Sequence, residues 1–228
     1  MIKQIYPLLQ LCDSQFPSGA FSHSFGFETY IQEGKIIDSM SFEHALRMYV
    51  NTQLLYTDGF ACRLTFEMLE KGDILGISEL DHELFALAIA KETREGNRRI
   101  GSRMVKVISS LYPSPILEQY ETRIKNKKAY GHSSIVFASV CHHLSLSPEL
   151  TVSSFLFANI STVVQNAVRG IPIGQTEGQQ IMVRIQPFLE QITEKIFLLQ
   201  RDEFGLGSPG LEIAQMRHEE LNVRLFMS

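Results

Sequence analysis

Several groups of side chains in this chain are of types that do chemistry. Cys141-His142-His143 offers a thiol and two imidazoles, the donors that transition metals prefer. Adjacent residues on a helix point about 100° apart, so these three cannot converge on one ion without further ligands. His132 lies upstream across an expected helix start. A structural or partly exposed histidine pair is therefore the simpler reading, with a transient or intersubunit metal contact left open. His23 is flanked by Ser18, Ser22 and Ser24, a nucleophile beside a base in sequence only, and no Gly-x-Ser-x-Gly elbow occurs. His23 and Cys12 stay ambiguous as ligands. Asp81 with Glu83, and Glu219 with Glu220, read as solvated helix faces. Gly34-Lys35 lacks the rest of a phosphate loop. Gly170, Gly174 and Gly178 carry no lysine and read as a tight interhelical connection.

A charge run is more suggestive. In Thr93 to Lys106, residues Arg99, Arg103 and Lys106 align opposite the apolar Ile100 and Met104. Glu95 can pair with Arg99 at i,i+4, which would make the run self-sufficient. Arg94, Arg98 and Arg103 nevertheless outnumber the nearby acids, and Gly96 and Gly101 would let another backbone approach. An interface built on planar guanidinium forks and a solvated helix face both remain open.

The elements that must hold these residues are helical. Apolar stripes at steps of three and four include Phe42/Ala45/Leu46/Tyr49/Val50, Phe60/Ala61/Leu64/Met68, Leu80/Leu84/Leu87/Ala88 and Leu117/Tyr120/Ile124. Ile181 to Leu199 keeps the spacing past Pro187, where a kink or break is expected. Val152 to Val168 is apolar on several faces and should be central. Ser114-Pro115 and Ser147-Pro148 read as helix starts, and Gly34, Gly72 and Gly131 as helix ends or turns. No alternating strand and no repeat is visible. The expectation is an all-α, single-domain helical bundle, residues 1–204, of about eight to ten helices.

Residues 205–228 complete it as a hinge and an amphipathic C-terminal docking segment. After Gly205-Leu206-Gly207-Ser208-Pro209-Gly210, residues Leu211, Ala214, His218, Leu221 and Leu225 share one helical face. Val223, Phe226 and Met227 add apolar side chains where a free terminus is normally polar. Such a flexible tail must bury its apolar side on its own domain or on another protein, and a docking tail is expected.

Composition agrees with a globular protein. Of 228 residues 44% are hydrophobic and 20% charged, enough for a sizeable core. A net charge of −4 gives no general attraction to nucleic acid or anionic membranes. Three widely spaced cysteines are unlike a disulfide framework and point to a reducing cytoplasm. No signal peptide and no run near the roughly 18 apolar residues of a membrane span is seen.

Five segments together resemble the urease accessory protein UreF family. They are Leu8 to Glu28, the arginine run, Gly131-His132-Ser133, Val168-Arg169-Gly170 through Gly178-Gln179, and Ser208 to Phe226. The likeness is collinear over the whole chain. Ala20 departs from a common glycine, and Met227 from a common basic residue. The resemblance implies a non-catalytic, all-helical, homodimeric maturation factor that assembles with UreD (UreH) and the GTPase UreG. The complex would couple GTP hydrolysis to nickel insertion into apo-urease, with nickel handled by the complex and no cofactor stably bound. It further implies UreD (UreH) binding through Arg217, His218, Leu221, Arg224, Leu225 and Phe226. A UreG surface is implied around Arg94, Arg98, Arg103, Gly174 and Gln175. The other readings are a nickel-binding metallochaperone acting alone, and an enzyme using His23, Cys141 and His143.

Overall fold

The structure is a computed structural model that describes residues 2–228. Among the described residues there are eleven α-helical stretches and no strand. They are α1 (Ile2–Cys12), α2 (Phe27–Gln32), α3 (Ser39–Tyr49), α4 (Gly59–Glu70), α5 (Ile74–Leu87), α6 (Lys91–Leu111), α7 (Pro115–Lys125), α8 (Ser133–His143), α9 (Pro148–Gly170), α10 (Gln175–Leu198) and α11 (Pro209–Arg217). A π-helical segment, Val50–Asp58, joins α3 to α4, so eleven stretches make ten rods. Among the described residues no helix is long and apolar enough to cross a membrane.

The elements follow from local sequence. Asp38 and Ser41 form a reciprocal capping box at the start of α3. Ser147 Oγ accepts from Leu150 N at 3.2 Å and Pro148 occupies the first helical position of α9. Ser114 stands at the expected cap of α7 but makes no side-chain cap bond. Gly34, Gly72 and Gly131 all take positive φ where helices end or turn.

α10 runs unbroken through Pro187. Val183, whose carbonyl loses its partner to that proline, is exposed, so water can take the freed acceptor. The most enclosed helix is α8, in which every residue from Ser134 to Cys141 is buried. In α9, by contrast, Phe157 reaches solvent while Val152, Phe155, Leu156, Ile160, Val163 and Val164 pack inward.

The core forms where α4, α8, α9 and α10 pack together, joined by the π segment. Phe42, Phe60, Phe137, Leu156 and Ile160 are among its fully enclosed side chains. Gly59 ends the π segment, and a Cβ there would stand 2.6 Å from the Leu54 carbonyl and 2.7 Å from Ile196. A wide helix turn can therefore lie directly on α9 and α10.

Asp81 overturns the reading of a solvated carboxylate. It is fully buried and organises the approach to α8. Its Oδ1 accepts from Tyr120 Oη at 2.5 Å and Gly131 N at 3.0 Å, and its Oδ2 from Tyr130 N at 2.6 Å. Tyr120 Oη in turn accepts from His132 N at 3.1 Å. Burial and the adjacent carboxylate push the Tyr120 phenol well above its ordinary range, so it stays a donor. Asp81→Ala would leave these buried donors without an acceptor. We expect a loss of about 3 kcal/mol or more in urea unfolding, with Asp81→Asn between it and wild type.

Candidate partner-docking site

The site is built around the seat of residues 209–228. Gly26 opens it: with φ 95° it turns the chain into α2, and a Cβ there would lie 3.1 Å from both Leu211 and Gln215. The absent side chain lets α11 lie against α2. Thr29 Oγ1 donates to the Ala214 carbonyl at 2.7 Å, and Gln215 Nε2 to the Phe25 carbonyl at 3.3 Å. At the joint, Gly205 N donates to the Tyr56 carbonyl of the π segment at 2.9 Å. The segment is therefore folded back on its own domain, and the freely flexible tail expected from sequence is not what the structure shows.

Glu28 is the centre of the seat and is only 2% exposed. One oxygen accepts from Leu225 N at 2.5 Å; the other accepts from Phe226 N at 3.1 Å and faces His218 Nε2 at 2.9 Å. His218, fully buried, turns Nδ1 to Glu92 Oε2 at 2.6 Å, and Glu92 Oε1 accepts from Arg224 at 2.7 Å. Each ring nitrogen of His218 faces one carboxylate. Carboxylate, imidazole, carboxylate and guanidinium thus follow one another from the core of the seat to its rim.

Beyond Arg224 the chain is held mainly through its backbone. The Ser228 carbonyl accepts from Ser24 N at 2.5 Å, Phe25 N at 3.0 Å and Ser24 Oγ at 2.8 Å. Met227 N donates to the Ser22 carbonyl at 2.8 Å. Phe226 is buried, with Arg169 5.5 Å from its ring and 4.3 Å from that of Phe21. Phe25 takes a left-handed conformation at φ 51°, strained for a bulky residue, while its N–H meets Ser228.

The periodic face proposed for this segment ends early. α11 stops at Arg217 and a short 3-10 turn, His218–Glu220, follows, so Leu225 no longer falls on the stripe and is exposed. Leu211, Ala214, His218 and Phe226 face inward. Ile213, Met216, Val223, Leu225 and Met227 face out. Arg217 pairs with Glu33 at 3.0 Å. Glu219 and Glu220 are exposed, as expected of them.

His23 belongs to the same seat. Its Nδ1 lies 2.7 Å from Ser228 Oγ, its ring stacks on Phe25, and its carbonyl accepts from Asn166 at 2.8 Å. Burial first, then Arg99 and His218, lower its pKa from 6.5 to about 4, against a smaller opposing pull from Glu92. Gly96 leaves it room, since a Cβ there would stand 2.9 Å from the ring.

The remaining candidates separate. Arg94 donates to the Ala88 and Ile89 carbonyls at 3.1 and 3.3 Å and lies over Phe85, so it ties down the start of α6. Glu95 pairs with Arg98 at i,i+3, at 2.7 Å, and not with Arg99, the pairing that would have made the run self-sufficient. Arg103 lies against Gly19. Gly101 does admit a close backbone, but it is the chain's own: a Cβ would meet Gly131 at 2.6 Å and His132 N at 2.7 Å. Gly174 and Gln175 are exposed at the start of α10, and no hydrogen bond or ion pair among the described residues joins them to the arginines.

Metal-ligand chemistry does not assemble either. Cys141 is buried, His142 packs edge-on against Phe66 and His143 is exposed. Burial raises the Cys12 thiol to about 11 and the Cys141 thiol as well, opposing the thiolate that ligation or attack requires. His132 caps α8 and stands 3.6 Å from Asp58. Among the described residues, no three His, Cys, Asp or Glu side chains gather closely enough to hold a metal ion.

Fold and site together define an all-helical protein whose prominent feature is a closing segment clamped on a buried carboxylate. The family model for UreF matches residues 36–186. A urease accessory protein UreF from Bacillus sp. (strain TB-90) is 58% identical over 227 residues, covering 100% of both chains. Proteins of the same name from Lachnoclostridium phytofermentans and Geobacillus kaustophilus are each 49% identical, over 100% and 99% of both chains. The chain belongs to the UreF family of urease accessory proteins.

Two measurements test the seat. In Glu28→Gln, hydrogen exchange at the Leu225 and Phe226 amides should quicken by about tenfold or more, while amides in α8 keep their protection. Lowering pH should also loosen the fold. An unfolded chain protonates His23 near 6.5 and the folded one near 4, so its stabilisation is complete above 6.5 and lost as pH falls toward 4. Urea unfolding at pH 7 and 4.5 should show a wild-type loss on the order of 2 kcal/mol larger than that of His23→Gln, allowing for solvent screening.

Proposed function

We propose that this chain is a non-catalytic adaptor that assembles with UreD (UreH) and the GTPase UreG and couples GTP hydrolysis to nickel insertion into apo-urease. The observation that carries this reading is the two-sided closing segment in a chain of the UreF family. Leu211, His218 and Phe226 anchor it, while Val223, Leu225 and Met227 leave a row of apolar side chains in water. Adjacent exposed apolar residues of this kind are what a protein partner covers.

Of the residues assigned to UreD (UreH), Leu225 faces outward, and Arg217 and Arg224 sit at the rim of the seat. Leu221 is half-buried, whereas His218 and Phe226 are enclosed. A partner can use the outward residues with the segment seated; engaging His218 and Phe226 requires it to leave Glu28. For UreG, Arg98 and Arg103 are exposed on α6, and Gly174 and Gln175 at the start of α10, while Arg94 contributes by fixing the helix. The chain acts as a homodimer, and exposed Ile2, Tyr6 and Leu9 on α1 add apolar surface for association. Nickel is cargo passed through the assembly and not a resident group. The adaptor must bind the states of UreG unequally, because equal affinity shifts no population.

Size-exclusion chromatography with light scattering on the protein alone, with UreD, and with UreD plus nucleotide-loaded UreG should show stepwise assembly. Leu225→Glu, placed on the exposed side, should weaken UreD association by about tenfold or more without changing the helical signal. Deleting residues 211–228 should abolish it, and UreD binding retained by the deletion would sink the docking role. His142→Ala with His143→Ala should leave urease activation within about twofold of wild type. A selective loss of nickel loading with all complexes intact would instead assign these histidines to the metal path.

A further inference from the structure

Beside the seat lies a cleft of about 410 Å³ between α6 and the loop that carries Ser18 to His23. Arg99 and Arg103 line it one helical turn apart, and among the described residues neither has an acidic partner. Glu95, the carboxylate that could have neutralised Arg99, is taken by Arg98. Like charges at i,i+4 repel, so this spacing costs helix stability unless an anion fills the gap. The lining also includes Arg98, already paired with Glu95, together with Ser22 and His23 on the loop, Ile100 on α6, and Met227.

We propose that this cleft binds an acidic peptide segment of a protein partner, carboxylates on Arg99 and Arg103 and an apolar side chain against Met227. Three features favour a peptide over a lone anion. The cleft falls in the size range of small-ligand pockets, far beyond a single phosphate. Its arginines are exposed, where a free ion is weakly held in salt. Its lining supplies apolar contact besides charge, and the planar forks suit carboxylates bidentately. The positive face also stands out on a chain of net charge −4, which gives charge complementarity a definite address.

The cleft and the seat are mechanically one. Met227 forms part of the wall only while its N–H is bonded to the Ser22 carbonyl, and Ser228 holds His23 and Ser24 beside it. An occupant that prefers the complete wall therefore stabilises the seated segment, and by linkage a seated segment tightens the occupant. This rests on the adaptor reading only in taking the occupant to be protein-borne.

The test uses the purified full-length protein alone and a short fluorescent peptide of alternating glutamate and leucine. Fluorescence anisotropy at low salt should show saturable binding, weakened about tenfold or more by Arg99→Glu with Arg103→Glu. Arg99→Gln with Arg103→Gln is the milder variant if charge reversal disturbs folding. Saturating peptide should slow hydrogen exchange at Leu225 and Phe226. Absence of saturable binding overturns the proposal, as does undiminished binding by either folded variant. Displacement by inorganic phosphate as effective as by unlabelled peptide marks an adventitious ion only and overturns the peptide assignment. Unchanged exchange at Leu225 and Phe226 in the bound state overturns the linkage. Because UreD and UreG assembly is scored separately, failure here with assembly intact removes this site and leaves the adaptor.

Discussion

A buried carboxylate needs its hydrogen bonds supplied from somewhere, and Glu28 draws them from the far end of the chain. Two backbone N–H groups from Leu225 and Phe226 and the ring of His218 close on it. Removing those donors would leave a charge in a site shielded from water, at a cost of several kcal/mol. That constraint makes residues 205–228 part of the fold, and it also makes their release a discrete event.

The outer members of the same chain of charges are weaker. Arg224 and Glu92 lie toward solvent, where an ion pair contributes about 1 kcal/mol or less and salt screens it. Arg217 and Glu33 pair at the surface as well. A partner could displace these pairs at small cost and only then meet the enclosed His218 and Phe226. The strained Phe25 lies at the same boundary, its N–H paired to Ser228, so strain and anchoring share one corner.

Asp81 does for the entry to α8 what Glu28 does for the closing segment. Each is a fully or nearly fully buried acid whose acceptors are used by backbone N–H groups from a distant stretch. Neither announces itself in sequence. Asp81 sits among ordinary helix-surface residues, and Glu28 follows an aromatic stretch that gives no hint of its burial. A lone acid reads as exposed because that is the common case, and only packing shows which acids are satisfied internally.

What the sequence by itself determined was everything carried by local periodicity and capping. The helical stripes, the starts at Ser114 and Ser147, the turns at Gly34, Gly72 and Gly131, and the apolar character of the last residues all act within a few residues of one another. Long, specific segments also made the family resemblance legible, including the part that closes the chain. Tertiary structure decided how partners were chosen across the chain: that His218 faces Glu28 and Glu92, that Glu95 takes Arg98 and leaves Arg99 free, and that Leu225 turns outward while Phe226 turns in. Those outcomes join residues 190 and 126 positions apart or choose between neighbours a fraction of a turn apart. Spacing along one helix cannot resolve either, because the energy that selects them comes from desolvated charges meeting in three dimensions.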